Sequence, residues 1–247
     1  MPTRLRRVMF SSSRRLAYAL VALAVLGTGA NAAAARDRHP HGAHPMRFLA
    51  LGDSYTIGEG VAADERWPAQ LAGRLAAGGV TIEAPRIIAT TGWTTADLAH
   101  ALDTERPSGP FALVALLIGV NNQYQGRPLA EYTREFAALL ARAVALAGAD
   151  ARHVIVLSIP DWGVTPFAAD RDRAKIASEI DRFNDAARAA TRGAGAAWVD
   201  VTAASREAGA DARFVTGDGL HPSGAAYARW AELALPAARA ALAAKTR

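Results

Sequence analysis

The chain has no cysteine in its 247 residues. Disulfides, a thiol nucleophile and a cysteine-ligated metal are therefore excluded, and the fold must rest on its core, which a chain of this length can supply. Acid is missing from one stretch: residues 1–32 carry Arg4, Arg6, Arg7, Arg14 and Arg15 but neither Asp nor Glu. Taking those five from the 28 Lys and Arg leaves 23, against 23 Asp and Glu, so the net charge of +5 belongs wholly to that segment. A body with no basic excess lacks the electrostatic footprint of a nucleic-acid binder, and no nucleic-acid partner is expected. Internal repeats are absent. So is any G-x-S-x-G, which excludes the strand-to-helix elbow on which ordinary α/β-hydrolases mount their serine.

What is present begins with an export signature. An arginine-rich start, the apolar run Leu16 to Leu26 and the small residues Ala30-Asn31-Ala32 read as a cleavable signal peptide over 1–32. The run is too short for a comfortable membrane span, although retention as an uncleaved anchor is the alternative. A secreted or periplasmic protein with no stable span after cleavage is expected. Residues 33–45, with His39, His41, His44 and two prolines, read as a flexible linker or, alternatively, a surface metal-binding tract. The remainder, 46–247, suits one domain, and a composition 51% hydrophobic and 21% charged predicts a globular one.

Along that domain, strand and helix patterns alternate. Apolar runs at Phe48–Leu51, Thr81–Ala89, Phe111–Ile118, His153–Ile159 and Ala196–Val201 predict five strands. Helical spacing fills the gaps: Trp67 to about Ala77 with Pro68 in its first turn, a helix capped by Thr94 or Thr95, Leu129 to Leu146, and the charged stretch Asp170 to Arg192. Residues after the fifth strand read as irregular until Asp218-Gly219-Leu220-His221-Pro222-Ser223, where a last helix starts at Pro222 or just beyond. Such alternation predicts a mainly parallel sheet with helices on both faces. Gly58-Glu59-Gly60-Val61-Ala62-Ala63 imitates a dinucleotide fingerprint. It stands several residues beyond the strand and has no ribose-binding acid after the next one, so it reads as a loop over Ser54, and no cofactor is expected.

In a parallel sheet the ligand lies beyond the C-terminal strand ends. Ser54 follows the first strand, Gly92 the second, Asn121 the third, and Asp218 with His221 the fifth, so all can meet on one edge. Acyl transfer requires a nucleophile, a base, a group that orients the base, and donors for the oxyanion. Ser54 supplies the first, His221 the second and Asp218 the third. The backbone N–H groups of Ser54 and Gly92 and the Asn121 amide supply the donors. Glycine at 92 suits a close approach of substrate that leaves no room for a side chain. Blander readings stand beside these: Ser54 as a helix cap, His221 as a helix-entry histidine, Asn121 as an amide tying down its own loop. Asp53, Tyr55, Trp93, Asn122 and Trp162 flank the same strand ends and are expected substrate contacts; Trp67 and Tyr124 are further candidates for an apolar pocket wall.

Gly52-Asp53-Ser54-Tyr55, Gly92, Gly119-Val120-Asn121-Asn122 and Asp218-Gly219-Leu220-His221-Pro222 together resemble the four blocks of the SGNH (GDSL) hydrolases, from about Arg47 to the C-terminus. The resemblance implies a flavodoxin-like three-layer α/β/α sandwich with a mainly five-stranded parallel sheet. It also implies hydrolysis of esters or thioesters through an acyl-serine, without metal or cofactor. The roles it carries over are Ser54 as nucleophile, Asp218 and His221 completing the triad, and Ser54, Gly92 and Asn121 as oxyanion donors. Asn122 stands where many members carry Asp, and is expected to alter loop bonding rather than chemistry. The expected partner is a small-molecule or glycan ester, and the expected state a monomer. O-deacetylation of carbohydrate, a lysophospholipase or thioesterase activity, and a non-catalytic ligand-binding role are the alternatives.

Overall fold

The structure, a computed structural model, describes residues 45–209 and 211–244. The expected signal peptide, the histidine tract and all but the last residue of the expected linker lie outside them. Five strands, β1 (Phe48–Gly52), β2 (Arg86–Ala89), β3 (Leu113–Leu117), β4 (Val154–Leu157) and β5 (Ala197–Val199), form one all-parallel sheet in the order β2-β1-β3-β4-β5. Ala50 in β1 stands opposite Ile87 on one side and Ala115 on the other. Every residue of β1, β3 and β4 is buried, as strands covered on both faces must be, and their sequences are continuous apolar runs for that reason.

Eight α-helices accompany the strands among the described residues: α1 (Ser54–Ile57), α2 (Trp67–Ala77), α3 (Thr95–Glu105), α4 (Val120–Tyr124), α5 (Leu129–Leu146), α6 (Arg173–Ala194), α7 (Thr202–Ala208) and α8 (Gly224–Ala243). α2 packs on α8, which also lies over β3, β4 and β5, while α5 sits on β3 between α3 and α6. Helices therefore cover both sheet faces, giving the expected three-layer sandwich. The strand order reverses at β1, between β2 and β3, so the crevice where such sheets bind ligands opens at the C-terminal ends of those strands.

Three elements depart from expectation. β2 begins at Arg86 instead of Thr81, because Pro85 cannot donate to a ladder; upstream of it only Ile82 forms an isolated bridge, to Met46. β5 is shorter than its apolar run at both ends. The segment after β5 is not irregular but forms α7, its first turn held by Asp200, whose Oδ1 accepts the N–H groups of Thr202 and Ala203. Seven residues make barely two turns, too few to print a helical period.

Candidate active site

β1 stops because Gly52 is packed to the limit. A Cβ there would sit 2.5 Å from the Leu117 carbonyl oxygen and 2.2 Å from Thr56 Oγ1. Asp53 then caps α1, its Oδ1 accepting the Tyr55 N–H at 3.0 Å, and Ser54 becomes the first helical residue, at the crevice but only 5% exposed. Asp53 itself is wholly buried, and its Oδ2 has no hydrogen-bond partner. Burial pushes its carboxyl up to about 7, against the lowering effect of the Tyr55 N–H. Expected as a substrate contact, Asp53 is found underneath the serine as a cap.

On the far side, the chain between α7 and α8 folds into a tight loop. Val215 pairs with Pro222, and the Thr216 N–H donates to the His221 carbonyl at 2.8 Å. Inside that loop Asp218 is surrounded by donors: Oδ1 accepts from the Thr216 hydroxyl at 2.7 Å and from the Leu220 and His221 N–H groups at 2.8 and 3.0 Å, while Oδ2 meets His221 Nδ1 at 2.5 Å. Burial works to raise the Asp218 carboxyl, but these bonds, led by the His221 ring, hold it well below the usual carboxylate range. An ionised carboxylate only accepts, so Nδ1 carries the proton and Nε2 is left as the ring's acceptor. The ring is buried against Tyr55, with centroids 5.7 Å apart.

The loops after β2 and β3 complete the crevice. Gly92 adopts φ +87°, a left-handed conformation, and nothing lies within 4 Å of where its Cβ would be. Backbone conformation, not crowding by the protein, is what calls for glycine here. Asn121 lies in α4 and donates from Nδ2 to the Trp93 carbonyl at 2.9 Å. Asn122 points elsewhere: fully buried, it accepts the Thr95 N–H at 3.0 Å and donates to Thr95 Oγ1 at 2.7 Å, fastening α4 to the start of α3. Asn122 therefore serves the loop, and it is not among the residues that line the crevice. Trp93 contributes its carbonyl and packs against the core, while Trp67 is completely buried in α2; neither reaches the crevice.

Ser54, Gly92, Asn121 and His221 line one cavity of about 190 Å³, whose remaining wall is largely apolar: Tyr55, Val120, Tyr124, Trp162, Phe167 and Leu220, with Thr91. No hydrogen bond joins the Ser54 hydroxyl to the His221 ring, although both line this cavity; catalytic bonds of this kind often tighten only when substrate binds. Trp162 is held by a 2.8 Å bond from Nε1 to Gln123 Oε1. Tyr124 and Phe167, 47% and 40% exposed, form a rim with Trp162, and the Arg171 guanidinium lies within 6.0 Å of all three ring centroids. Phe167, Leu220 and Thr216 were not legible as site residues. Each stands in a short turn without periodicity, and only its nearness to Asp218 could have singled out Thr216. Among the described residues no three His, Asp or Glu side chains are grouped to hold a metal ion.

A cleft at the switch point of a doubly wound parallel sheet, with a serine on the first strand-to-helix turn, defines an α/β enzyme of the flavodoxin-like class. Residues 50–229 match the model of the GDSL-like lipase/acylhydrolase family. The chain belongs to that family and is a carboxylic ester hydrolase of the esterase and lipase class. No curated protein sequence matches it. Solved structures do. TesA is 24% identical with a TM-score of 0.58, over 78% of this chain and 97% of its own. The psychrotrophic esterase EstA from Pseudoalteromonas sp., solved in a form inhibited by monoethylphosphonate, is 16% identical with a TM-score of 0.60, again over 78% and 97%. The lipase/acylhydrolase from Enterococcus faecalis is 22% identical with a TM-score of 0.54, over 77% and 94%. At such identities the likeness is one of fold.

Proposed function

We propose that this ester hydrolase is an exported serine esterase that works through an acyl-serine, without metal or cofactor. Its machinery is Ser54 as nucleophile, His221 as base and then acid, and Asp218 as the group that orients the imidazole and stabilises the imidazolium that forms when it takes the serine proton. The observation that carries the reading is the Asp218–His221 pair on the cavity shared with Ser54. Attack of Ser54 Oγ on the ester carbonyl passes its proton to His221 Nε2. The tetrahedral oxyanion is received by the Ser54 and Gly92 N–H groups and the Asn121 amide, and His221 returns the proton to the departing alcohol. Water, activated by the same imidazole, then releases the acid. At the head of α1 the Tyr55, Thr56 and Ile57 N–H groups are taken by Asp53, so within that turn the Ser54 N–H is the donor assigned to the developing negative charge.

A small, largely apolar cavity favours short-chain or aryl esters. A second reading, O-deacetylation of a glycan, draws on the exposed aromatic rim, where a sugar ring could stack. Acetyl release from acetylated sugars, measured beside 4-nitrophenyl esters of graded chain length, separates the two. Ser54→Ala and His221→Ala should abolish turnover on every ester while leaving the melting temperature near that of the wild type. Full ester hydrolysis by purified Ser54→Ala would refute the assignment. Export is supported by the arginine-rich start, apolar run and small residues of the N-terminal segment.

A further inference from the structure

Behind the cleft lies a second cavity, of about 30 Å³, between the turn after β4, α7 and the start of α8. Three residues, Tyr55, Trp162 and Leu220, line both spaces, so they are the wall between them. The rear space is small and is lined mainly by apolar groups, among them Val164, Ala204, Ala208, Phe214 and Trp230. Its one carboxylate, Asp161, is already bound to the Gly163 N–H and to Arg206 at 2.9 and 2.8 Å. The space therefore suits hydrocarbon and not a polar ligand.

The three wall residues differ in what else they do. Trp162 is tied by its indole N–H to Gln123, and Tyr55 is packed between the His221 and Trp230 rings at 5.7 and 6.0 Å. Leu220 is only partly buried, and its backbone N–H, not its side chain, serves the Asp218 carboxylate. Its side chain can be shortened without removing a hydrogen bond or an aromatic contact.

We propose that Leu220 is the chain-length gate of the enzyme: its side chain stops a linear apolar chain of the ester at the cleft wall, and removing it joins the cleft to the rear cavity. This rests on the serine-esterase reading of the cleft. Each methylene newly taken from water adds up to about fourfold in kcat/KM.

The test compares wild type, Leu220→Ala, the milder Leu220→Val, and Leu220→Ala combined with Ala208→Leu, which refills the rear cavity from α7. Two substrate series are used: 4-nitrophenyl esters with acyl chains of two to eight carbons, and acetates with alkyl groups of the same lengths. In one series, which identifies the side of the scissile bond that meets the gate, the ratio of kcat/KM for eight carbons to that for two should rise tenfold or more in Leu220→Ala. It should rise less in Leu220→Val and fall back toward the wild-type value when Ala208→Leu is added. Leu220→Val gives the decision if the alanine variant fails to fold. Unchanged ratios in both series, in a variant still active on the shortest ester, would overturn the proposal. Inactivity of the wild type on every ester, or undiminished activity of Ser54→Ala, would instead refute the reading beneath it.

Discussion

The Asn121 side-chain amide donates to the Trp93 carbonyl at 2.9 Å, joining the helix after β3 to the loop after β2 that carries Gly92. An amide NH₂ has two hydrogens, so this bond fixes the plane of the group and leaves one donor uncommitted. Tying a loop and stabilising an oxyanion are compatible roles for one side chain. Asn121→Ala should lower kcat by about a hundredfold or more, with a much smaller change in KM, since the donor acts on charge that develops in the transition state. Steady-state kinetics on one short ester checks this. A loss confined to KM would assign Asn121 to ground-state binding.

Gly92→Ala tests the neighbouring donor. Space for the new methyl is open, so the variant should fold, but φ +87° makes alanine unfavourable by about 1–2 kcal/mol. The melting temperature should drop by a few degrees. Relaxation of the loop toward negative φ should turn the N–H away and reduce kcat. A variant with unaltered kcat would show that this N–H is not used.

The two carboxylates of the site predict opposite responses to pH. Asp53, buried beneath Ser54, has its folded-state value raised to about 7 from an ordinary value near 3.8. Its contribution is full below the unfolded value and is lost as pH climbs toward 7, by at most about 4 kcal/mol at 1.36 kcal/mol per unit. Asp218 is lowered, so its contribution is present above the ordinary carboxylate range and is lost on acidification. Urea midpoints measured from pH 4 to 8 should therefore fall less steeply in Asp53→Asn than in the wild type. Identical slopes would show that Asp53 ionises freely.

Much of this arrangement is legible in the sequence. β1, β3 and β4 are buried on both faces and read as unbroken apolar runs; Ser54 and Asn121 follow the first two of them, Gly92 follows β2, and His221 stands in the turn before α8. What sequence pattern could not supply was direction. Asn121 and Asn122 are adjacent polar residues after the same strand. On a helix, neighbours point about 100° apart, and only one reaches the crevice. Asp53 raises the same difficulty at a cap. Of the apolar wall, Tyr55, Tyr124 and Trp162 are legible as aromatic residues at strand ends, whereas Phe167 and Leu220 sit in short turns, where no periodicity marks a hydrophobic residue as facing anything.

The most direct test of the account is covalent. A 4-nitrophenyl alkylphosphonate should release one equivalent of nitrophenol, stop ester hydrolysis, and leave a single adduct that peptide mapping places on Ser54. Ser54→Ala should take no label, and His221→Ala should take it far more slowly. Labelling at another residue, or unimpaired hydrolysis after Ser54 has been modified, would contradict it.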